Sequence, residues 1–170
     1  MLLTAHDPFL SAEEITSAGV KGVSFDELVT GSDCLVIQAP LTPQTHHLFD
    51  ETQLRRMKTT AILVNTARGP IIDDRALYRA LSEGWIAGAG LDDIEEEPAK
   101  VRDWRPDNPL LRLDNVITTP HAAYYSEESI GTVRRFAAEE VVRVLTGRAP
   151  LSPVNAGELV EARWSRSPGT

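Results

Sequence analysis

Three scarcities narrow what this chain can be. It holds a single cysteine, Cys34, which excludes a disulfide framework and a cysteine-built metal cluster. Cys34 sits in an apolar run and reads as a core residue of a protein kept in a reducing compartment. Aromatic residues make up only 6%, and Trp85, Trp104 and Trp164 are scattered, so nothing resembles a stacking platform for nucleic acid. Positive charge is in deficit, with 17 basic against 25 acidic residues and a net charge of −8. A nucleic-acid or anionic-membrane surface calls for a clustered basic face. Here Arg134-Arg135 shares its helical pattern with Glu127, Glu128, Glu139 and Glu140. No apolar segment reaches spanning length, and the amino terminus lacks the basic region and long apolar core of a signal peptide. The expectation is a soluble, cytoplasmic domain that binds neither nucleic acid nor membrane.

What is present is ordinary globular composition: 42% apolar and 25% charged residues, in a chain of 170 that supports one domain with a real core. Strand-like and helix-like runs alternate. Short strands are expected at Leu2–Ala5, weakly at Lys21–Val23, then at Cys34–Ile37, Ala61–Val64, Ile86–Leu91 and Asn115–Thr119. Capping-box spacing opens helices at Ser11/Glu14, Ser24/Glu27 and Asp50/Gln53, the last running through Met57. Asp73 starts a helix that Gly84 stops, and Ser126 starts a long one ended by Gly147. Between them lies a polar loop from Glu95 to about Asn108. Such alternation implies βαβ units and a doubly wound parallel sheet.

The stretch Ala61 to Asp73 concentrates the chemistry. The run Ala61-Ile62-Leu63-Val64 suits a strand buried on both faces, and it feeds Asn65-Thr66-Ala67-Arg68-Gly69. In such sheets ligands sit beyond the carboxyl ends of the strands, so Arg68 stands where a ligand is expected. Read alone it is equally a surface cation. Glu97 and His121 also follow strands that should end on the same edge. An arginine grips a carboxylate with two parallel hydrogen bonds, a histidine passes a proton near working pH, and a carboxylate orients the imidazole. The set suits hydride transfer at a 2-hydroxy or 2-keto acid. Glu95 and Glu96 form an acidic run with Glu97, but only Glu97 stands before Pro98. The neighbouring His46 and His47 read as loop residues, with no third ligand spaced to help them, so no metal site is expected.

The motifs Val64-Asn65-Thr66-Ala67-Arg68-Gly69, Leu91-Asp92 with Glu97-Pro98, and Thr119-Pro120-His121 resemble the NAD-binding domain of the D-isomer-specific 2-hydroxyacid dehydrogenases. The resemblance runs from Leu2 to about Asn155. It implies a partial NAD-binding domain over residues 1–155, followed by a polar tail over 156–170. His46-His47-Leu48 and the segment Thr119 to Glu127 look closest to the C-terminal-binding-protein branch of that family. Carried over by position, Arg68 matches the substrate-binding arginine, Glu97 the glutamate that supports the histidine, and His121 the acid/base histidine. Asp7 matches the acid that binds the adenosine ribose and disfavours NADP. Ala39, Pro40, Thr45, Thr66, Ala67, Asp92 and Ala123 match positions that line NAD. Tyr124 stands at a substrate-contacting position often held by tryptophan. The implied function is an NAD-dependent oxidoreductase acting on a 2-hydroxy acid, as a homodimer. The alternatives are an NAD(H)-sensing dimeric interaction protein of corepressor type, or an inactive fragment.

Two departures stand out. Asp93 occupies a usually apolar position, which bears on packing near the nicotinamide. No G-x-G-x-x-G occurs: Gly88-Ala89-Gly90 begins one, but Asp93 takes the place of its third glycine. The resemblance implies that the first Rossmann strand, its glycine loop and most of a substrate domain would precede Met1. That reads as a truncated gene model, a gene remnant or half of a split enzyme. The fold expected is therefore a Rossmann-like α/β sheet that is incomplete, with unpaired edges where the central first strand would lie between Leu3 and Leu35.

Overall fold

Strands and helices alternate throughout the computed structural model, which describes residues 1–95 and 107–154. In chain order they are β1 (Thr4–Ala5), α1 (Ala12–Ser17), β2 (Lys21–Gly22), α2 (Phe25–Gly31), β3 (Cys34–Ile37) and α3 (Glu51–Leu54). Then come β4 (Ile62–Asn65), α4 (Asp74–Ser82), β5 (Gly88–Leu91), β6 (Val116–Thr118) and α5 (Glu127–Leu145). Residues 1–123 form one compact unit and those from Tyr124 onward a second.

The helix starts follow the sequence signals. Ser11, Ser24 and Asp50 each accept a backbone N–H of the first turn, while Glu14, Glu27 and Gln53 reach back to the cap. Asp73 caps α4 through the N–H groups of Arg75 and Ala76, and Gly84 follows its end with φ +72°. The helix expected to run through Met57 stops at Leu54. Asn108, at the end of the expected polar loop, caps a short 3-10 turn at Pro109–Arg112, where the sequence pattern predicts no element.

Strands β3, β4, β5 and β6 form one parallel sheet in that order, with Cys34 opposite Ile62, Ile62 opposite Gly88 and Ala89 opposite Val116. Strands β1 and β2 pair in a separate two-stranded sheet, so neither sheet joins β1 to β3. Phe25, the first residue of α2, packs its ring edge-on against Phe49 of the main core at 5.7 Å. Because β3–β6 run in parallel, their carboxyl ends, and the turns that follow them, lie on one edge.

One face of this sheet is packed. Leu35, Ile37, Leu63 and Leu91 meet Leu54 of α3 and Leu77, Ala80 and Leu81 of α4 in a single buried cluster. The opposite face is open: Val36 is 52% and Ile117 73% exposed, and Cys34 and Ile62 are exposed too. Two expectations are thereby corrected. Strand β4 is not buried on both faces, and Cys34 of β3 is not a core residue. The cause is the period of two: α3 and α4 cover the side that takes Leu35 and Leu63, so their neighbours point away.

The second unit is dominated by α5, capped by Ser126 and followed by Gly147 with φ +78°. Arg135–Glu139 and Arg143–Glu140 pairs line it, and no residue of the helix is buried. Among the described residues no helix is long and apolar enough to cross a membrane.

The exposure of Cys34 is directly measurable. One thiol per chain should react with Ellman's reagent in native buffer, at a rate that denaturant barely increases; a thiol released only by unfolding would contradict this packing.

Candidate active site

The turn after β4 is built by Asn65. This side chain is fully buried at the strand's end; its Nδ2 donates to the Arg68 carbonyl at 2.8 Å and its Oδ1 accepts the Ala67 N–H at 3.0 Å. Both bonds hold the backbone that presents Arg68. Arg68 itself is exposed, and its Nη1 donates to the Ala67 carbonyl at 2.6 Å. Gly69 then opens a 3-10 turn, Gly69–Ile71, tight against the next crossover. A Cβ at Gly69 would overlap the Ile94 carbonyl, so only glycine fits there.

Two adjacent carboxylates at the exit of β5 organise the rest. Asp92 is buried, and its Oδ1 accepts the Thr119 hydroxyl and the Ala122 N–H, while Oδ2 accepts the Ala123 N–H at 2.8 Å. The Asp92 carbonyl takes the His121 N–H at 2.8 Å. Burial pushes the Asp92 carboxyl up, but the bonds from Thr119, Ala123 and Ala122 and the nearby His121 outweigh it and hold the pKa below the ordinary value. Asp93 is also buried. Its Oδ2 accepts the Gly69 N–H at 3.0 Å and lies 4.0 Å from His121 Nδ1, and its Oδ1 has no hydrogen-bond partner among the described residues. The departure at Asp93 thus couples two turns, carrying Arg68 on one side and His121 on the other. His121 adopts a left-handed backbone, φ +51°, uncommon for a non-glycine residue.

The other expected positions are distributed as follows. Gln38, before Ala39 and Pro40, donates to the Thr66 hydroxyl at 2.6 Å, which ties the turn after β3 to the turn after β4. The Thr45 hydroxyl donates to the Pro40 carbonyl at 2.6 Å and accepts the Thr42 N–H, so it closes its own turn. Asp7 stands at the end of β1, where its carboxylate accepts the Phe9 N–H at 2.8 Å. Tyr124 belongs to the second unit and is exposed. Glu97 lies outside the described residues. Arg68, Asp92, His121, Ala123, Thr66 and Ala39 therefore follow strands of one sheet, whereas Asp7 follows the separate pair.

Sequence reasoning missed three contributors. Asn65 and Asp93 act through partners that only the folded edge brings near. Asp74 does so too: its Oδ2 accepts Asn108 Nδ2 at 2.7 Å and the Glu95 N–H at 3.3 Å, gathering both flanks of the segment between them. Burial raises its pKa to about 6, against those two hydrogen bonds. His46 and His47, which the sequence spacing leaves without a neighbour, have a carboxylate beside them in the fold: Glu95 Oε1 lies 2.8 Å from His47 Nε2.

Residues 1–123 match the profile of the D-isomer specific 2-hydroxyacid dehydrogenase, NAD binding domain. The chain belongs to that family. It is 48% identical over 145 residues to a glyoxylate reductase of Korarchaeum cryptofilum, covering 85% of this chain and 42% of that one. It is 43% identical over 155 residues to a D-3-phosphoglycerate dehydrogenase of Archaeoglobus fulgidus, covering 91% and 28%. A D-isomer specific 2-hydroxyacid dehydrogenase from Lactobacillus delbrueckii ssp. bulgaricus, in its NAD-complexed form, superposes with a TM-score of 0.79 at 31% identity, covering 91% and 48%. The chain thus spans less than half the length of each.

The family binds NAD, and the residues present are compatible with its two ends: Asp7 could offer a carboxylate oxygen to ribose hydroxyls, and Thr66 and Ala67 are partly buried in the turn after β4. Asp92 has three of its four lone-pair positions taken by the His121 turn, leaving one acceptor for a carboxamide. No G-x-G-x-x-G for the diphosphate occurs in the 170 residues.

Two substitutions test this construction. Gly69→Ala should cost about 2 kcal/mol in urea unfolding, because its methyl meets backbone that cannot move aside. Asp74→Asn reads the linkage. The folded pKa of Asp74 is raised, so its contribution is fully present below the unfolded pKa and is lost as pH rises through about 6. The melting temperature of Asp74→Asn relative to the native chain should therefore rise between about pH 4 and about pH 7.

Proposed function

We propose that the chain supplies the NAD-binding and acid/base half of an oxidoreductase that reduces a small 2-keto acid, glyoxylate being the first to try. The observation that carries this reading is the Asp92-Asp93 pair: Asp93 accepts the Gly69 N–H beside Arg68 and lies 4.0 Å from His121 Nδ1, while the Asp92 carbonyl accepts the His121 N–H. Bound NADH would supply the hydride. Arg68, exposed at that edge, grips the substrate carboxylate with two parallel hydrogen bonds and polarises the keto oxygen. His121 protonates the nascent alkoxide, and Glu97 orients the imidazole. Asp7 takes the adenosine ribose and repels the extra phosphate of NADP. Ala39, Pro40, Thr45, Thr66, Ala67, Asp92 and Ala123 line the dinucleotide, and Tyr124 contacts substrate. Pairing into a homodimer is part of the same reading; the exposed Val133, Phe136, Val141 and Leu145 of α5 support it.

NADH binding by energy-transfer fluorescence, followed by turnover with glyoxylate, tests the reading on the purified chain. Arg68→Gln and His121→Gln should each lower turnover by about 100-fold or more while NADH still binds. Sedimentation of the same samples reads the dimer. NADH-dependent association without turnover would favour the sensor, and absence of NADH binding would sink both.

A further inference from the structure

We propose that His46, His47 and Glu95 form a site for one zinc-class divalent cation. One ring nitrogen of each histidine and a carboxylate oxygen of Glu95 all lie within 4.8 Å of one another. Adjacent residues of a helix or strand diverge, and so cannot ordinarily ligate together. Here His47 takes a left-handed backbone, φ +52°, which brings its ring beside that of His46, centroids 4.0 Å apart and tilted by 30°. Three separate segments fix the arrangement. The His46 N–H is held by the Thr42 carbonyl at 3.0 Å, the His47 N–H by the Pro70 carbonyl at 2.9 Å, and the Glu95 N–H by Asp74.

The donor chemistry selects the ion. Two imidazole nitrogens and one carboxylate oxygen, with an open position facing solvent, suit zinc with a water as fourth ligand. Calcium and magnesium prefer all-oxygen sites. With metal–ligand bonds of about 2.0–2.2 Å, tetrahedral donors stand about 3.3 Å apart. The 2.8 Å contact between His47 Nε2 and Glu95 Oε1 would open by roughly half an ångström, and a separation at the 4.8 Å limit would close by about 1.5 Å, both side-chain adjustments. Both side chains are about one-third exposed, which leaves the cation a path in. Ligation requires Nε2 to be unprotonated, so affinity should rise with pH. An ion there would pin the loop leaving β5 to the turn ahead of α3.

The test is calorimetric titration of zinc chloride into the untagged 170-residue chain, with magnesium as control. One equivalent should bind with a Kd of about 10 μM or tighter, and magnesium should give no saturable heat. Loss of a supporting shell alone weakens metal sites by about tenfold or more, so His46→Ala and Glu95→Gln should each lose at least that. Circular dichroism on both variants establishes that they remain folded. In histidine-labelled protein, zinc should shift the ring resonances of His46 and His47 and leave His6 in place. Zinc affinity unchanged in Glu95→Gln, no saturable binding, or shifts confined to His6 and His121 would each overturn the proposal.

Discussion

Successive residues of an extended chain point to opposite sides, and the two residues leaving β5 turn that geometry into a clamp. Asp92 faces the turn after β6 and satisfies the Thr119 hydroxyl and the N–H groups of Ala122 and Ala123. Asp93 faces the turn after β4 and satisfies Gly69. Each of those donors would otherwise be a polar group at a partly or wholly buried edge, at about 1–3 kcal/mol apiece. One dipeptide thus touches both the turn that presents Arg68, which Asn65 shapes from within, and the turn that presents His121. Gly69 is the counterpart constraint: only where a Cβ is missing can the Arg68 turn come near enough to Ile94 for its N–H to reach Asp93.

The parts of this fold that were legible beforehand are those decided by neighbours in sequence. A capping box closes within four residues, so Ser11, Ser24 and Asp50 announced their helices; glycine after a helix likewise marked Gly84 and Gly147. The strand positions followed from apolar runs, and Arg68 and His121 from motifs at their ends. What was not legible depends on which side is covered. An apolar run such as Cys34-Leu35-Val36-Ile37 carries no period, and nothing in it tells that α3 and α4 pack on one face only. Cys34 was misread for that reason.

The same limit hid the polar contributors. Asn65 looked like part of a motif, and only the fold shows that its amide bridges Ala67 to Arg68. Asp93 looked like a misplaced charge, since its partners lie 24 and 28 residues away by their numbers. Asp74 ties residues 95 and 108 from the first turn of α4, a contact that no spacing rule reaches.

The backbone offers an independent view of what the chain retains. Among the described residues, the two non-glycine positions with positive φ are His47 and His121. A left-handed conformation costs an L-residue about 1 kcal/mol or more, and glycine would relieve it. At both positions the N–H is bonded, to Pro70 and to Asp92 respectively, so the surrounding turns enforce the conformation. Glycine would satisfy the same bonds without strain. What glycine lacks is an imidazole, and in both places the ring stands beside a carboxylate: Glu95 for His47 and Asp93 for His121. The backbone conformation thus places a titratable ring beside a carboxylate at each of the two turns.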